Sequence, residues 1–172
     1  MYILKPDEKT THVMLYTPDR LVRGEVVTKQ GVRVNIWPRT DGAPKYMHVL
    51  KPQVLVFGGS PVKAHSFSEI FFPSAQLIAF HTLPPTEEPL DYDSNEANRM
   101  MQDIEVLAGT FVMQGKIRIS TQTEVVSSLE MARVAWMSLY DVEITNTYLN
   151  QMPPLHTPMA LINPTNVSFA LT

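Results

Sequence analysis

Apolar and polar residues alternate with a period of two along much of this chain. Val13 and Leu15, then Val22, Gly24 and Val26, then Val32, Val34 and Ile36 fall on one side of an extended backbone, the pattern of strands with one buried face. Short runs rich in β-branched and aromatic residues follow at 46–50, 54–57 and 76–80, each bounded by Gly, Pro or Asn. Lys29-Gln30-Gly31 separates two of the runs, which predicts a hairpin connection with a glycine available for positive φ.

The alternation stops between His81 and Met101, where Pro84, Pro85 and Pro89 stand among Glu87, Glu88, Asp91 and Asp93. Proline has no N–H to give to a ladder, so this stretch reads as a linker over 83–102, or an extended strap across a barrel surface. Asp93 followed by Glu96 has the spacing of a capping box, which predicts a helix of about two turns from Asn95 to Gln102.

The two flanking segments come into partial register when the sequence is slid against itself by 91 positions. Val13 and Leu15 then fall on Ile104 and Val106, while Val22, Gly24 and Val26 fall on Met113, Gly115 and Ile117. Pro73, Ile78, Ala79 and Phe80 fall on Pro164, Phe169, Ala170 and Leu171, and in between Val54 and Val56 match Val142 and Ile144 at an offset of 88. Two diverged copies give such a pattern, as does chance alternation in two all-β halves. The expected organisation is a first small β-barrel over 1–82, the linker over 83–102 and a second small β-barrel over 103–172.

Each segment holds about five short strands, too few for a sandwich of two full sheets, and a small closed barrel removes exposed edges economically. Gly24 and Gly115, central in their strands, suit a sharp bend. The strand-turn-strand with glycine, His12-Val-Met-Leu-Tyr-Thr-Pro-Asp-Arg-Leu-Val-Arg-Gly24-Glu-Val, and the ending Ala160-Leu-Ile-Asn-Pro-Thr-Asn-Val167-Ser-Phe resemble the Sm-like branch of the SH3-type barrels. The second segment also resembles an uncharacterised bacterial family with an aromatic-rich strand, a glycine and a closing Asn-x-x-x-Val/Ile segment. This resemblance implies tandem, Sm-like barrels of bent antiparallel strands in an all-β chain. RNA-binding members of that branch carry an Arg-Gly pair before the last strand. Here Phe72-Pro73-Ser74-Ala75 and Asn163-Pro164-Thr165-Asn166 stand in its place, so the RNA pocket is unsupported.

Charge sharpens the division. Residues 1–82 hold 10 Lys and Arg against 6 Asp and Glu, a balance of +4, and residues 83–172 hold 4 against 11, a balance of −7. The chain contains no cysteine, which excludes disulfides, cysteine nucleophiles and thiolate zinc sites. Its start, MYILKPDEK, has only a three-residue apolar run, and no stretch reaches the roughly 20 apolar residues of a membrane-spanning helix, so the expectation is a cytoplasmic protein without membrane contact.

Catalytic patterns fail one by one. Gly109-Thr-Phe-Val-Met-Gln-Gly115-Lys116-Ile117 has five residues between its glycines, lacks the hydroxyl of a phosphate loop and alternates like a strand. The five histidines lack the spacing of a metal site, and Ser60, followed by Pro61, cannot open a nucleophile elbow. Glu87, Glu88, Asp91 and Asp93 read as solvated linker carboxylates with no source for a shifted pKa.

The positive candidates are Arg20, Arg23, Arg33, Arg39 and Lys45 interleaved with Trp37 and Tyr46, which on alternating strands make a basic face with aromatic platforms for nucleic acid or another anion. Lys29 and Lys51 belong to the same set, and the same charges equally serve to protect sheet edges. Arg20-Leu-Val-Arg23 is one residue short of the Arg-x-x-x-Arg motif of cyclic-dinucleotide-binding barrels. The leading expectation is a non-catalytic binding or assembly module, homo-oligomeric or with a protein partner, needing no cofactor and no metal. Nucleic-acid binding by the first barrel is the alternative, and an enzyme with a site between the barrels at His48, His65 or His156 is the weaker one.

Overall fold

The computed structural model describes residues 2–40, 42–86, 88–131, 134–149 and 152–171. Its strands are β1 (Glu8–Tyr16), β2 (Arg20–Lys29), β3 (Tyr46–Val56), β4 (Lys63–Ser66), β5 (Glu69–Pro73), β6 (Ala79–Thr82), β7 (Arg99–Ala108), β8 (Phe111–Ser120), β9 (Met137–Asn146), β10 (Leu155–Ile162) and β11 (Ser168–Ala170), with one helix, α1 (Val125–Met131). The fold is all-β and the pairings are antiparallel. Among the described residues no helix is long and apolar enough to cross a membrane.

Sequence reasoning expects two small barrels in tandem; hydrogen bonding runs through one continuous sheet in the order β11-β7-β8-β9-β10-β6-β1-β2-β3-β4, with β5 also paired to β3. Each half nevertheless has the same neighbour order: last strand, first, second, third, fourth. The halves join where β10 pairs with β6, Leu161 opposite Phe80 and Ile162 opposite Ala79, and the Asn163 N–H extends the seam by donating to the Ile78 carbonyl at 2.8 Å.

Packing crosses that seam in both directions. One buried cluster gathers Met14, Tyr16, Leu21, Phe57, Ile78 and Ala79 of the first half with Ile104, Val106, Phe111, Met113, Leu139 and Ile144 of the second. The other, around Val13, Leu15, Val22, Val49, Phe72 and Phe80, takes in Trp136 and Leu161 from the second half. The Tyr16 ring meets Phe111 edge to face at 4.8 Å between centroids. The two halves thus share their apolar burial, the main favourable term in folding.

The 91-residue offset has a structural counterpart. Val13 pairs with Gly24 and Ile104 with Gly115, and the ladder to the next strand shifts register between Arg23 and Glu25 in the first half and between Gln114 and Lys116 in the second. At both bulges a side chain has no room. A Cβ on Gly24 would lie 2.5 Å from Val49 Cγ1 and 3.1 Å from the Leu50 carbonyl, and one on Gly115 would lie 2.9 Å from both Leu139 Cγ and the Tyr140 carbonyl. Just beyond, Lys51 (φ 48°) and Asp141 (φ 52°) take the left-handed conformation. The third strands therefore correspond at an offset of 90: Val54 faces Val22 as Ile144 faces Met113, which replaces the match at 88 read from the sequence.

Local structure departs from expectation at the β2–β3 connection and at the end of the linker. Residues 32–36 form turns before a 3₁₀ turn at Trp37–Arg39, and β2 reaches its partner β3 through a long connection instead of a hairpin at residues 29–31. The Val34 and Asn35 N–H groups go to the Glu88 carboxylate, and Pro38 supplies no donor, so this alternating run has no ladder to join. The helix expected over 95–102 is absent, because Arg99 to Gln102 pair with Ser120, Ile119, Arg118 and Ile117 as the start of β7. The capping aspartate still works locally: Asp93 accepts the Asn95 N–H at 2.9 Å in a tight turn. The linker thus ends at Asn98, four residues earlier than the 83–102 span.

Candidate functional site: the linker groove and the sheet edges

The connection between β2 and β3 folds over itself. Trp37 Nε1–H donates to the Gly42 carbonyl at 3.2 Å, and the Thr40 hydroxyl to the Trp37 carbonyl at 2.8 Å. This fixes a short ledge, residues 33–39, along which the acidic linker lies. The Glu88 carboxylate accepts the N–H groups of Val34 (3.1 Å) and Asn35 (3.4 Å), two successive amides pointing at one anion. Arg33 donates to the Pro89 carbonyl at 3.0 Å, and Arg39 forms an ion pair with Asp91 at 2.6 Å.

Asp91 is the hub that joins first half, linker and second half. Its carboxylate also accepts from the Ser138 hydroxyl (2.6 Å) and the Tyr140 hydroxyl (2.8 Å) on β9, and Arg39 additionally donates to Ser138 Oγ. Burial alone would raise the Asp91 pKa, but hydrogen bonds from Ser138, Tyr140 and Arg39 outweigh it and hold the carboxyl below the usual carboxylate range. Burial, then the bond to Asp91, pushes the Tyr140 phenol well up, so it stays a donor. Beyond Asp91 the linker is tied to the second half. Tyr92 meets Tyr140 edge to face at 4.8 Å under the Arg118 guanidinium, which donates to the Asp93 carbonyl at 2.5 Å and pairs with Glu96 at 2.8 Å.

The seven sequence-predicted site residues do not form one face. Arg33, Trp37 and Arg39 share the ledge, and the two arginines are turned onto the linker. Arg20 sits at the β1–β2 turn against Asp19 at 3.3 Å. Arg23 points into a shallow hollow with Gln53 and His65, while Lys45 and Tyr46 are exposed at the start of β3. Sequence reasoning reads the linker carboxylates as solvated and so misses Glu88 and Asp91, along with Ser138 and Tyr140. The opposite charges of the two halves were the available signal, but pairing Arg39 with Asp91 takes 52 positions of separation that no local pattern encodes.

The histidines are dispersed as well. His48 pairs with Glu69 at 2.8 Å and stacks on Phe71, His65 stacks on Phe67, and His156 lies 3.7 Å from Glu143. Only His156 of these three reaches the hollow of about 420 Å³ beside the seam, whose lining includes His81, Thr157, Met159 and Glu88. His81 itself is buried: Nδ1–H donates to the Thr82 carbonyl and Nε2 accepts from the Tyr16 hydroxyl, both at 2.9 Å. Burial depresses its pKa and keeps it neutral. Among the described residues no three acidic or histidine side chains converge as metal ligands.

Both ends of the sheet are open. The first half ends on β4 and β5, with Phe67 and Phe71 more than half exposed, and the second ends on the three-residue β11 followed by exposed Leu171. Comparison with protein families, with curated proteins and with solved structures finds no match to this chain.

Proposed function

We propose that this protein is a non-catalytic assembly module built from two diverged copies of one Sm-like, SH3-type barrel unit, and that its molecules associate head to tail through their strand edges. The observation that carries the reading is the seam inside the chain. There the fourth strand of one half, β10, adds to the last strand of the other, β6. The counterparts of those two strands are the two open ends, β4 with β5 at one and β11 at the other. A second molecule adding its β11 to the β4–β5 end would repeat the internal seam, with main-chain hydrogen bonds supplying affinity and apolar residues covering each other. The exposed phenylalanines of the first half and the opposite net charges of the two halves favour that partner over a like end. Such a heterologous contact gives a ring where its rotation closes and an open filament where it does not.

The test is light scattering during gel filtration at micromolar concentration. The wild type is expected to run as more than one chain, and Phe71→Glu, on the open end of the first half, and Ala170→Pro, on β11, are each expected to shift it to the monomer with unchanged circular dichroism. A wild-type monomer throughout that range overturns the reading.

A further inference from the structure

We infer that the ledge of residues 33–39 is a docking groove for extended, acidic, proline-containing peptide segments of a protein partner, and that the linker residues Glu88 to Asp91 are its resident ligand in cis. This does not rest on head-to-tail assembly, since the ledge lies on neither open end of the sheet.

The groove recognises general peptide chemistry. Two amides receive one carboxylate, Arg33 receives a main-chain carbonyl, and Arg39 receives a second carboxylate three positions further along. In an extended chain, three residues separate those carboxylates by roughly 10 Å, which sets the spacing a partner must offer. Pro89 between them favours the extended conformation, which a proline-containing ligand brings already formed. The apolar side chain of the segment, Leu90, contributes little, being 42% exposed. Nothing in the resident sequence is therefore required beyond acid, proline and acid.

Release of the segment breaks the ledge contacts together with the bonds from Ser138 and Tyr140 to Asp91. The segment joins no ladder, and its contacts to the ledge are polar and partly exposed, while its flanks are anchored separately. Leu83 N–H donates to the His12 carbonyl at 2.8 Å on one side, and Tyr92, Asp93 and Glu96 are held by Tyr140 and Arg118 on the other. The ledge has unused capacity: Arg33 Nε and both polar atoms of the Asn35 amide, a residue only 4% exposed, have no hydrogen-bond partner among the described residues. A partner peptide that uses those groups gains contacts the linker does not make. Until then the tethered linker competes at an effective concentration in the millimolar range, so the groove is closed to weak ligands.

The experiment uses the full chain and a fluorescein-labelled peptide of its own sequence, Leu-Pro-Pro-Thr-Glu-Glu-Pro-Leu-Asp-Tyr-Asp, with binding read by anisotropy. Glu88→Gln with Asp91→Asn, which releases the cis segment, is expected to bind the peptide at least tenfold more tightly than the wild type. Binding should weaken with added salt, and should be lost when Arg39→Ala is added or when the peptide's Glu and Asp are replaced by Gln and Asn. Glu88→Gln alone leaves the Asp91 hub intact and is expected to give a smaller gain, so the test survives if the double variant does not fold. Equal binding by folded wild type and folded Glu88→Gln, or equal binding of the neutral peptide, overturns the inference. So does tighter binding of a mixed oligonucleotide than of the peptide by the released variant, which would assign the groove to phosphate.

Discussion

The two halves of the sheet meet the same backbone problem and answer it with opposite charges. In both, a glycine at the bulge lets the next strand pass within contact of its Cα, and the residue beyond takes a left-handed turn. In the first half Lys51 at that turn pairs with Glu25 at 3.0 Å; in the second Asp141 pairs with Lys116 at 2.7 Å. Glu25 and Lys116 are 91 positions apart, Lys51 and Asp141 90 apart, so the pair is kept and its polarity reversed. A side chain at the backbone crossing meets its neighbours at once, whereas the surface pair needs only complementarity. That difference ranks what should break each half.

The largest effect belongs to the feature that the halves share. Phe80 is 1% exposed, lies edge to face with Trp136 at 5.5 Å and sits opposite Leu161 across the seam. Phe80→Ala is expected to cost about 3–5 kcal/mol by loss of burial plus cavity. Because both buried clusters span the seam, far-ultraviolet dichroism and tryptophan fluorescence should report one coincident urea transition in wild type and variant. Two separated transitions would make the halves independent folding units.

Next come the two crossings. Gly115→Ala forces its new methyl onto the Tyr140 main-chain carbonyl, and Gly24→Ala onto the tip of the Val49 side chain, which can move aside more cheaply than backbone. Overpacking of this kind costs about 1–3 kcal/mol, and the second half is expected to show the larger loss. Equal losses in urea denaturation, or a larger one at Gly24, would show that the two crossings are not comparable in stiffness.

How far these relations are legible in sequence depends on whether they are local. Alternation marks β1 and β2, and the 91-residue offset carries it to β7 and β8 and sets Gly24 against Gly115, because side-chain direction follows chain position with period two. It fails at Val32 to Ile36, where the amides that a strand would have used are claimed by Glu88, more than 50 positions away. The capping-box spacing misleads at Asn95 to Gln102, where the local cap loses to pairing with β8. α1 escaped notice because its seven residues carry no strong period. The basic residues are legible and their partner is not: Asp91 draws donors from Arg39 and from Ser138 and Tyr140 on β9, two stretches that only the folded sheet brings together.

The Asp91 hub has no counterpart in the comparison of halves, since it exists only between them. Hydrogen bonds to a charged group contribute about 1.5–3 kcal/mol net, and the asparagine amide keeps part of them, so Asp91→Asn is expected to lose about 1–2 kcal/mol at neutral pH. Its folded pKa lies below the unfolded value of about 3.9, so its stabilisation is complete above that value and is lost as pH falls through the folded one. The gap in urea midpoint between wild type and Asp91→Asn should therefore narrow steadily as pH is lowered below that unfolded value. A gap that persists at the acid end would mean that packing, not the ionised carboxylate, accounts for the loss.

The smallest effect tests the reversal of charge itself. The first-half pair is solvent-facing, with the Lys51 side chain 73% exposed, and such pairs contribute at most about 1 kcal/mol. Lys51→Asp alone places two carboxylates together and is expected to lower the melting midpoint by about 2 °C. Glu25→Lys together with Lys51→Asp rebuilds in the first half the polarity of Lys116 and Asp141, and should return to the wild-type midpoint or slightly above it. Aspartate tolerates the left-handed conformation at position 51 better than lysine does. A double variant as unstable as the single one would mean that the polarity of each pair answers to its own surroundings. The reversal would then reflect the +4 and −7 fields of the two halves, in place of a free choice at a shared crossing.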